Sequence, residues 1–470
     1  MLDMPAELFF MLCTYMDHQD LRALATSSHS LCSLLLPEYL RRRGLVLKDT
    51  SARGVNVVEL HDLSGYASLG LWSVVRIFYP PEDMFCPIPR NVQEARSAMR
   101  LLVRFLRDPL NTCNLRSFHI LFPGSDPYLL MPGLCQLQCL FHTLPLRELC
   151  ISGFCSTDYP SPPASLRSGW SVTCRTLTSF TISSDHAFAP ELVRTTMGIL
   201  KHSPIKSLVI YTVSLNPCQW STLLGLSMMS LEELDVEGDI PRPALLRFLS
   251  RHRGLKTVRI RGNIGSDRTL TRRSRHQHFL PNLLTLRVPL AVCCDIVERS
   301  SDSSNIFDLE VDVNQLRPFD PLLIRLMENL RRFPKLEYFG FRVGPSPLSV
   351  TSQESSNDHD RDEHPACRLK QVRSLSFMQT RGRLSPGDIV CHHLPFLIFP
   401  ILSECQNTMC TLAQLFPTLE TVCAVEEKHG VGMELVRAFC KAKPTLRVVT
   451  VISGSLESKW EADAERAMDN

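Results

Sequence analysis

Two clusters in this chain are built from residues that can ligate metals or exchange electrons. "CHH" at 391–393 sets three ligand-type residues side by side, and Cys293 and Cys294 are adjacent thiols. Three consecutive side chains cannot all aim at one ion from a strand or a helix. No second pair stands at finger-like spacing either, so no metal site is expected. The cysteine pair reads as buried thiol rather than as a redox couple. No phosphate-cradling glycine-rich loop, no GxSxG and no HExxH occurs in the sequence. The expectation is therefore no catalytic residue, no cofactor, and a chain that is not an enzyme in its own right.

The residues with the most patterned chemistry are charged and stand two apart. They run Glu233, Asp235 and Glu237; then Thr257, Arg259 and Arg261; then Thr285 and Arg287; then Asp308, Glu310 and Asp312; then Tyr338 and Arg342. Alternate residues of a strand share one side, so each group marks the outward face of a strand along a concave sheet. Taken in order, that face is acidic, basic, basic, acidic. Neighbouring strands lie ~4.8 Å apart, close enough for the charges to pair with one another. The same pattern also suits a groove that selects a protein partner by charge complementarity. The two are compatible. The candidate target-binding residues are Arg259, Arg261, Arg287, Glu233, Asp235, Asp308, Glu310 and Tyr338, and the arginines could in principle receive a phosphorylated target.

The elements that carry these residues repeat. An aliphatic residue, a second apolar residue three positions later and a third two after that recur twelve times, from "LRSFHI" at 115 to "LRVVTV" at 446. The instances begin at 115, 146, 177, 205, 231, 255, 283, 306, 336, 372, 419 and 446, mostly 23 to 31 residues apart. Amphipathic stretches such as "APELVRTTMGILKHS" (189–203) and "RPALLRFLSRHRG" (242–254) lie between them, the second with Gly254 as a helix stop. Strand, helix and strand at a near-fixed period predict an α/β solenoid whose units bury their apolar sides against one another. The pattern resembles leucine-rich repeats over about 340 residues. It lacks a regular asparagine or cysteine after the strand, so no asparagine ladder is expected.

The first forty residues form a second module. Asp3 and Asp17 are helix-cap candidates, Pro5 suits a first helical turn, and Leu8, Met11, Leu12, Tyr15 and Met16 make one wide apolar face. Ser27 or Ser28 caps a third helix carrying Leu31, Leu34 and Leu35, which Pro37 should stop. So few residues bury too little surface to stand alone, and the surplus apolar surface calls for a partner.

Met4-Pro5-Ala6-Glu7-Leu8, then Leu12, then Met16-Asp17-His18-Gln19-Asp20-Leu21, then Ala25-Thr26-Ser27-Ser28 resembles an F-box. It departs from the family pattern in Met4 for leucine and in Ser28-His29, where arginines are common. The resemblance implies a three-helix module docking on the Skp-type adaptor of a cullin ubiquitin ligase through Met4, Pro5, Leu8, Leu12, Met16 and Leu21. It also implies a receptor that holds a target protein for ubiquitin transfer, or alternatively a scaffold acting without transfer.

The expected domains are 1–47, the F-box; 48–112, a linker with a possible irregular first repeat; 113–455, the repeats, with insertions near 265–280 and 350–368; and 456–470, an acidic tail. "YPPEDMFCPIPRN" (79–91) reads as a proline-rich loop and "LVRFLRDP" (102–109) as helical. With 44% hydrophobic and 21% charged residues the composition is globular, and a net charge of +3 argues against nucleic acid or a membrane surface as main partner. Asp3 and Glu7 stand where a signal peptide would be basic. The eighteen cysteines include no CxxC, and no glycosylation sequon occurs. A reducing compartment, cytoplasm or nucleus, is expected.

Overall fold

The computed structural model describes residues 6–25, 27, 31, 35, 38–39, 42, 48–49, 56–59, 83–87, 92–107, 115–122, 140–153, 173–188, 193–211, 214–262, 264, 279–300, 305–313, 320–343, 369–379, 409–410, 413–414, 416–426, 432–453 and 456–461. The chain divides into two compact units, Met1–Ser230 and Leu231–Asn470.

The first unit opens with helices α1 (Ala6–Tyr15) and α2 (His18–Ala25). Strands β1 (Lys48–Asp49), β2 (Asn56–Glu59) and β3 (Asp83–Pro87) follow, then α3 (Val92–Arg107), β4 (Ser117–Phe122), β5 (Glu148–Gly153) and β6 (Ser179–Ser183). A 3-10 turn (Asp185–Phe188), α4 (Val193–His202), β7 (Ser207–Ile210) and α5 (Pro217–Leu223) complete it. β1 pairs antiparallel with β2, and β2 to β7 pair parallel in strict chain order.

The second unit runs β8 (Glu233–Glu237), α6 (Arg242–Arg251), β9 (Thr257–Arg261), β10 (Thr285–Pro289), α7 (Leu290–Arg299), β11 (Asp308–Val313) and α8 (Pro321–Leu330). It ends with β12 (Tyr338–Val343), β13 (Ser374–Gln379), β14 (Thr421–Glu426), α9 (Gly432–Ala442), β15 (Val448–Ser453) and β16 (Leu456–Glu461). β8 to β15 are parallel neighbours in chain order, and β16 turns back antiparallel on β15. Each unit is thus α/β, with a sheet built by adding one strand after another.

The twelve-fold pattern marks a strand every time, beginning two residues after the leading apolar residue. That leading residue is buried in every repeat, from Leu115 to Leu446, none more than 2% exposed. Directly after it a carbonyl accepts two consecutive N–H groups from the next repeat. The Lys256 carbonyl, for instance, takes Leu284 N at 2.8 Å and Thr285 N at 3.0 Å. The Glu232, Leu284, Phe307, Glu337, Arg373 and Glu420 carbonyls do the same. A buried anchor followed by this shared acceptor fixes where each strand starts, and hence the register of everything after it.

Caps follow their sequence signals. Asp17 Oδ1 accepts from Gln19 N and Asp20 N, each at 2.8 Å. Asn216 and Gln219 form a reciprocal capping box on α5. Asp320 caps α8, whose first residue is Pro321.

Several expectations are corrected. The 48–112 segment, expected as a linker with a possible irregular first repeat, holds β1, β2, β3 and α3, the last running through most of the stretch 102–109 read as helical; what changes is that β3 lies inside 79–91, read as a proline-rich loop. Prolines flank this strand or end it, which leaves its central N–H groups free to pair. Leu456–Glu461 is a strand rather than tail. Phe279 and Leu280 are buried core, so the insertion assigned to 265–280 ends before them. α6 stops at Arg251, three residues ahead of Gly254. The backbone is helical at Glu38, Tyr39 and Arg42, beyond Pro37, and Ser27 closes α2 by donating to the Leu24 carbonyl at 2.8 Å. The segments 265–278, 350–368 and "CHH" at 391–393 lie outside the described residues. Among the described residues no helix is long and apolar enough to cross a membrane.

Candidate partner-binding surfaces

The charged groups stand on the face of the second unit opposite its apolar core. Leu286, Val288, Leu309, Val311, Phe339 and Phe341 alternate with them and are fully buried on the other side. Pairing sets Asp235, Arg259, Arg287 and Glu310 in one register row across β8, β9, β10 and β11. Glu233, Thr257, Thr285, Asp308 and Tyr338 form the row before it. The expected acid, base, base, acid order is therefore a contiguous surface.

Within it the acids hold the arginines unequally. Arg261 Nη2 grips both oxygens of Asp235, at 3.1 and 3.0 Å, whereas Arg259 Nη1 reaches Asp235 only at 3.9 Å. Glu310 Oε1 accepts from Arg342 Nε at 2.9 Å, and Glu310 Oε2 lies 3.2 Å from Arg287 Nε. That second approach is close in charge but off line for a hydrogen bond, and Arg287 Nε has no hydrogen-bond partner. Arg287 Nη2 is 3.5 Å from Asp308 Oδ2, and Arg342 Nε is 3.7 Å from Asp312 Oδ1.

Six acids against four arginines leave an acidic excess on β11. Burial pushes the Asp312 carboxyl up to about 6, with Arg342 opposing and Glu310 reinforcing the rise. Burial likewise raises Asp308 against the pull of Arg287. Tyr338, its hydroxyl raised by burial, donates to Ser376 Oγ across Gly340. A Cβ on Gly340 would meet that Ser376 Oγ at 2.6 Å, so the bridge requires glycine there.

Two expected contact residues are thereby reassigned. Asp235 and Glu310 are 5% and 2% exposed, because each is enclosed by the arginines it binds. They organise the face and are not free to meet a partner. Arg259, Arg261 and Arg287 keep 40, 38 and 33% of their side chains exposed. Glu233 is exposed, and Asp308 and Tyr338 are half-buried.

The N-terminal module offers a different chemistry. Among its described residues Cys13, Leu21, Leu35 and Tyr39 are buried. Arg42 closes α1 from outside by donating to the Cys13 carbonyl at 2.8 Å and the Met16 carbonyl at 3.4 Å, while Glu38 holds its Nε at 2.9 Å. A cation on the orphan carbonyls of a helix end satisfies both their hydrogen bonding and the helix dipole. With the end fixed, α1 turns Met11, Leu12 and Tyr15 outward, 53, 51 and 85% exposed.

Of the six expected adaptor-facing residues, Leu12 is thus on the surface and Met16 half-buried. Leu8 lies on α1, and Met4 and Pro5 fall outside the described residues. Leu21 is corrected: at 0% exposure it belongs to the module's own core. Met11 and Tyr15, absent from that set, were legible as members of the apolar face. What the sequence lacked was which side Leu21 and Cys13 would claim for the interior.

Cys293 and Cys294 are buried on α7, and burial raises both thiols, Cys294 to about 11, so neither is ionised near neutrality. Among the described residues no group of three or more His, Cys, Asp or Glu could hold a metal ion. Sequence reasoning passed over His119 on β4, whose Nε2 is 2.5 Å from Ser152 Oγ on β5. No motif marks that pair, because only the strand register brings it together. A scan against protein-family models matches no family, and no curated protein matches the chain.

Proposed function

We propose that this chain is a substrate receptor of a Skp–cullin–F-box ubiquitin ligase, with an F-box at its N-terminus and divergent leucine-rich repeats after it. The observation that carries this reading is the outward apolar stripe of Met11, Leu12 and Tyr15 on a helix whose module already has its own core. Three large apolar side chains in one turn of a small module are a docking surface in want of a partner. The spacing of the segment with respect to Pro5, Asp17, Asp20 and Leu21 points to the Skp-type adaptor as that partner. The strand-by-strand sheet supports the other half, since sheets built by stacking repeats present extended surfaces suited to a protein target. The chain would position its target and contribute no reacting group, so ubiquitin transfer is accelerated by proximity alone.

The test is a pull-down of the intact chain against purified Skp adaptor, with residues 1–45 deleted as control and a cullin blotted in the eluate. Leu12→Asp is expected to weaken adaptor binding at least tenfold, about 1.4 kcal/mol or more, with the fold intact. Adaptor binding unchanged in both variants would remove the docking assignment. Adaptor without cullin would leave a scaffold that transfers no ubiquitin.

A further inference from the structure

β9 and β10 carry the base–base centre of the charged face, and four of their outward residues share a property. Thr257 and Thr285 are in register, as are Arg259 and Arg287, and all four stand on one side of the sheet. The hydroxyls of Thr257 and Thr285 have no hydrogen-bond partner among the described residues. Arg259 makes no hydrogen bond there either; its one ion pair spans 3.9 Å, to an Asp235 already gripped by Arg261. Arg287 shares Glu310 with Arg342, and the Nε atoms of Arg259 and Arg287 are both buried without a hydrogen-bond partner. Like charges directly opposite on paired strands repel, and the acids that offset this stand to the sides, Asp235 3.9 Å from Arg259 and Glu310 and Asp308 3.2 and 3.5 Å from Arg287.

The patch measures roughly 5 Å across the strands and 7 Å along them, the reach of one carboxylate or phosphoryl group. Two guanidinium forks and two hydroxyls are the donor set such a group takes. We infer that Thr257, Arg259, Thr285 and Arg287 form an oxyanion site for a carboxylate or phosphoryl group on a protein partner, a proposal that rests on the second unit's face holding the target. Flanking Glu233 and Asp308 place negative charge on either side of the arginines. The complementary segment therefore carries an anion at its centre with cations beside it.

Inorganic phosphate and, separately, glutarate are titrated into the intact chain at fixed ionic strength, read by phosphorus and saturation-transfer NMR. Saturable binding with a Kd of about 1 mM is expected for at least one of them. Arg259→Gln with Arg287→Gln should weaken it at least tenfold and Thr257→Ala with Thr285→Ala about threefold, the latter keeping the charge. Arg447→Gln, an exposed arginine elsewhere on the unit, should leave it unchanged. Tighter phosphate assigns a phosphorylated partner, tighter glutarate an acidic one. No saturation by about 50 mM of either anion, or equal binding by the double arginine variant, overturns the site. Adaptor pull-down by the same variants reports on the docking reading alone, so the two failures are told apart.

Discussion

Asp312 stands opposite Arg342 across β11 and β12. Its carboxyl titrates at about 6 because burial outweighs Arg342, whereas an unfolded aspartate titrates near ~3.9. The folded protein therefore binds that proton more tightly than the unfolded chain does. The stability this gives is fully present below about pH 4 and is lost as pH rises through about 6. Asp312→Asn carries no such proton. Between pH 4 and 7 the wild type should lose stability relative to Asp312→Asn by about 1–2 kcal/mol, once solvent screening of a part-exposed group is allowed for. Urea unfolding of both proteins at pH 4, 5, 6 and 7 measures it, and parallel profiles would refute it. The charges of this row were legible from their two-residue spacing. Their partners were not, because pairing depends on strand register, which the intervening segments set and the spacing alone does not reveal.

The strands that could be read from the sequence share a buried leading residue with a carbonyl behind it that accepts twice. That anchor is an apolar residue at a fixed offset, so it leaves a mark in sequence as well as in space. β1, β2, β3 and β16 fall outside the twelve instances of the pattern. They are held by edge or neighbour pairing, and prolines stand around β3. The same logic locates stability. In β12 and β13 the anchor leads into stacked aromatics: Phe341 and Phe377 lie 5.7 Å apart at 13°, and Phe377 meets Phe439 of α9 at 6.0 Å. Phe377 thereby ties two strands to a helix more than fifty residues away. Phe377→Ala should cost about 3–5 kcal/mol, since a fully buried ring is removed and its neighbours can close the gap only in part. Denaturant unfolding tests this. A loss below about 1 kcal/mol would mean that the site repacks almost completely and that the stack does not tie β12, β13 and α9 together.

At the scale of the molecule, the two surfaces belong to different units: Met11, Leu12 and Tyr15 to the first, the Thr257–Arg287 patch to the second. One is apolar and should be insensitive to salt; the other depends on charge and should weaken as salt screens it. A receptor that joins an adaptor to a target needs both engaged at once and has no need of either to alter the other. Their free energies should then add. Leu12→Asp with Tyr15→Asp is expected to remove adaptor binding and leave the phosphate or glutarate Kd within about twofold. Arg259→Gln with Arg287→Gln should do the reverse, and the combined variant should lose both with an interaction energy below about 0.5 kcal/mol. Adaptor-saturated chain titrated with the anion closes the cycle, because linkage requires the anion to change adaptor affinity by whatever factor the adaptor changes the anion's. A factor near one is the signature of a bridge. A factor of ten or more in either direction would make this chain a switch, in which target capture and ligase assembly are gated by each other.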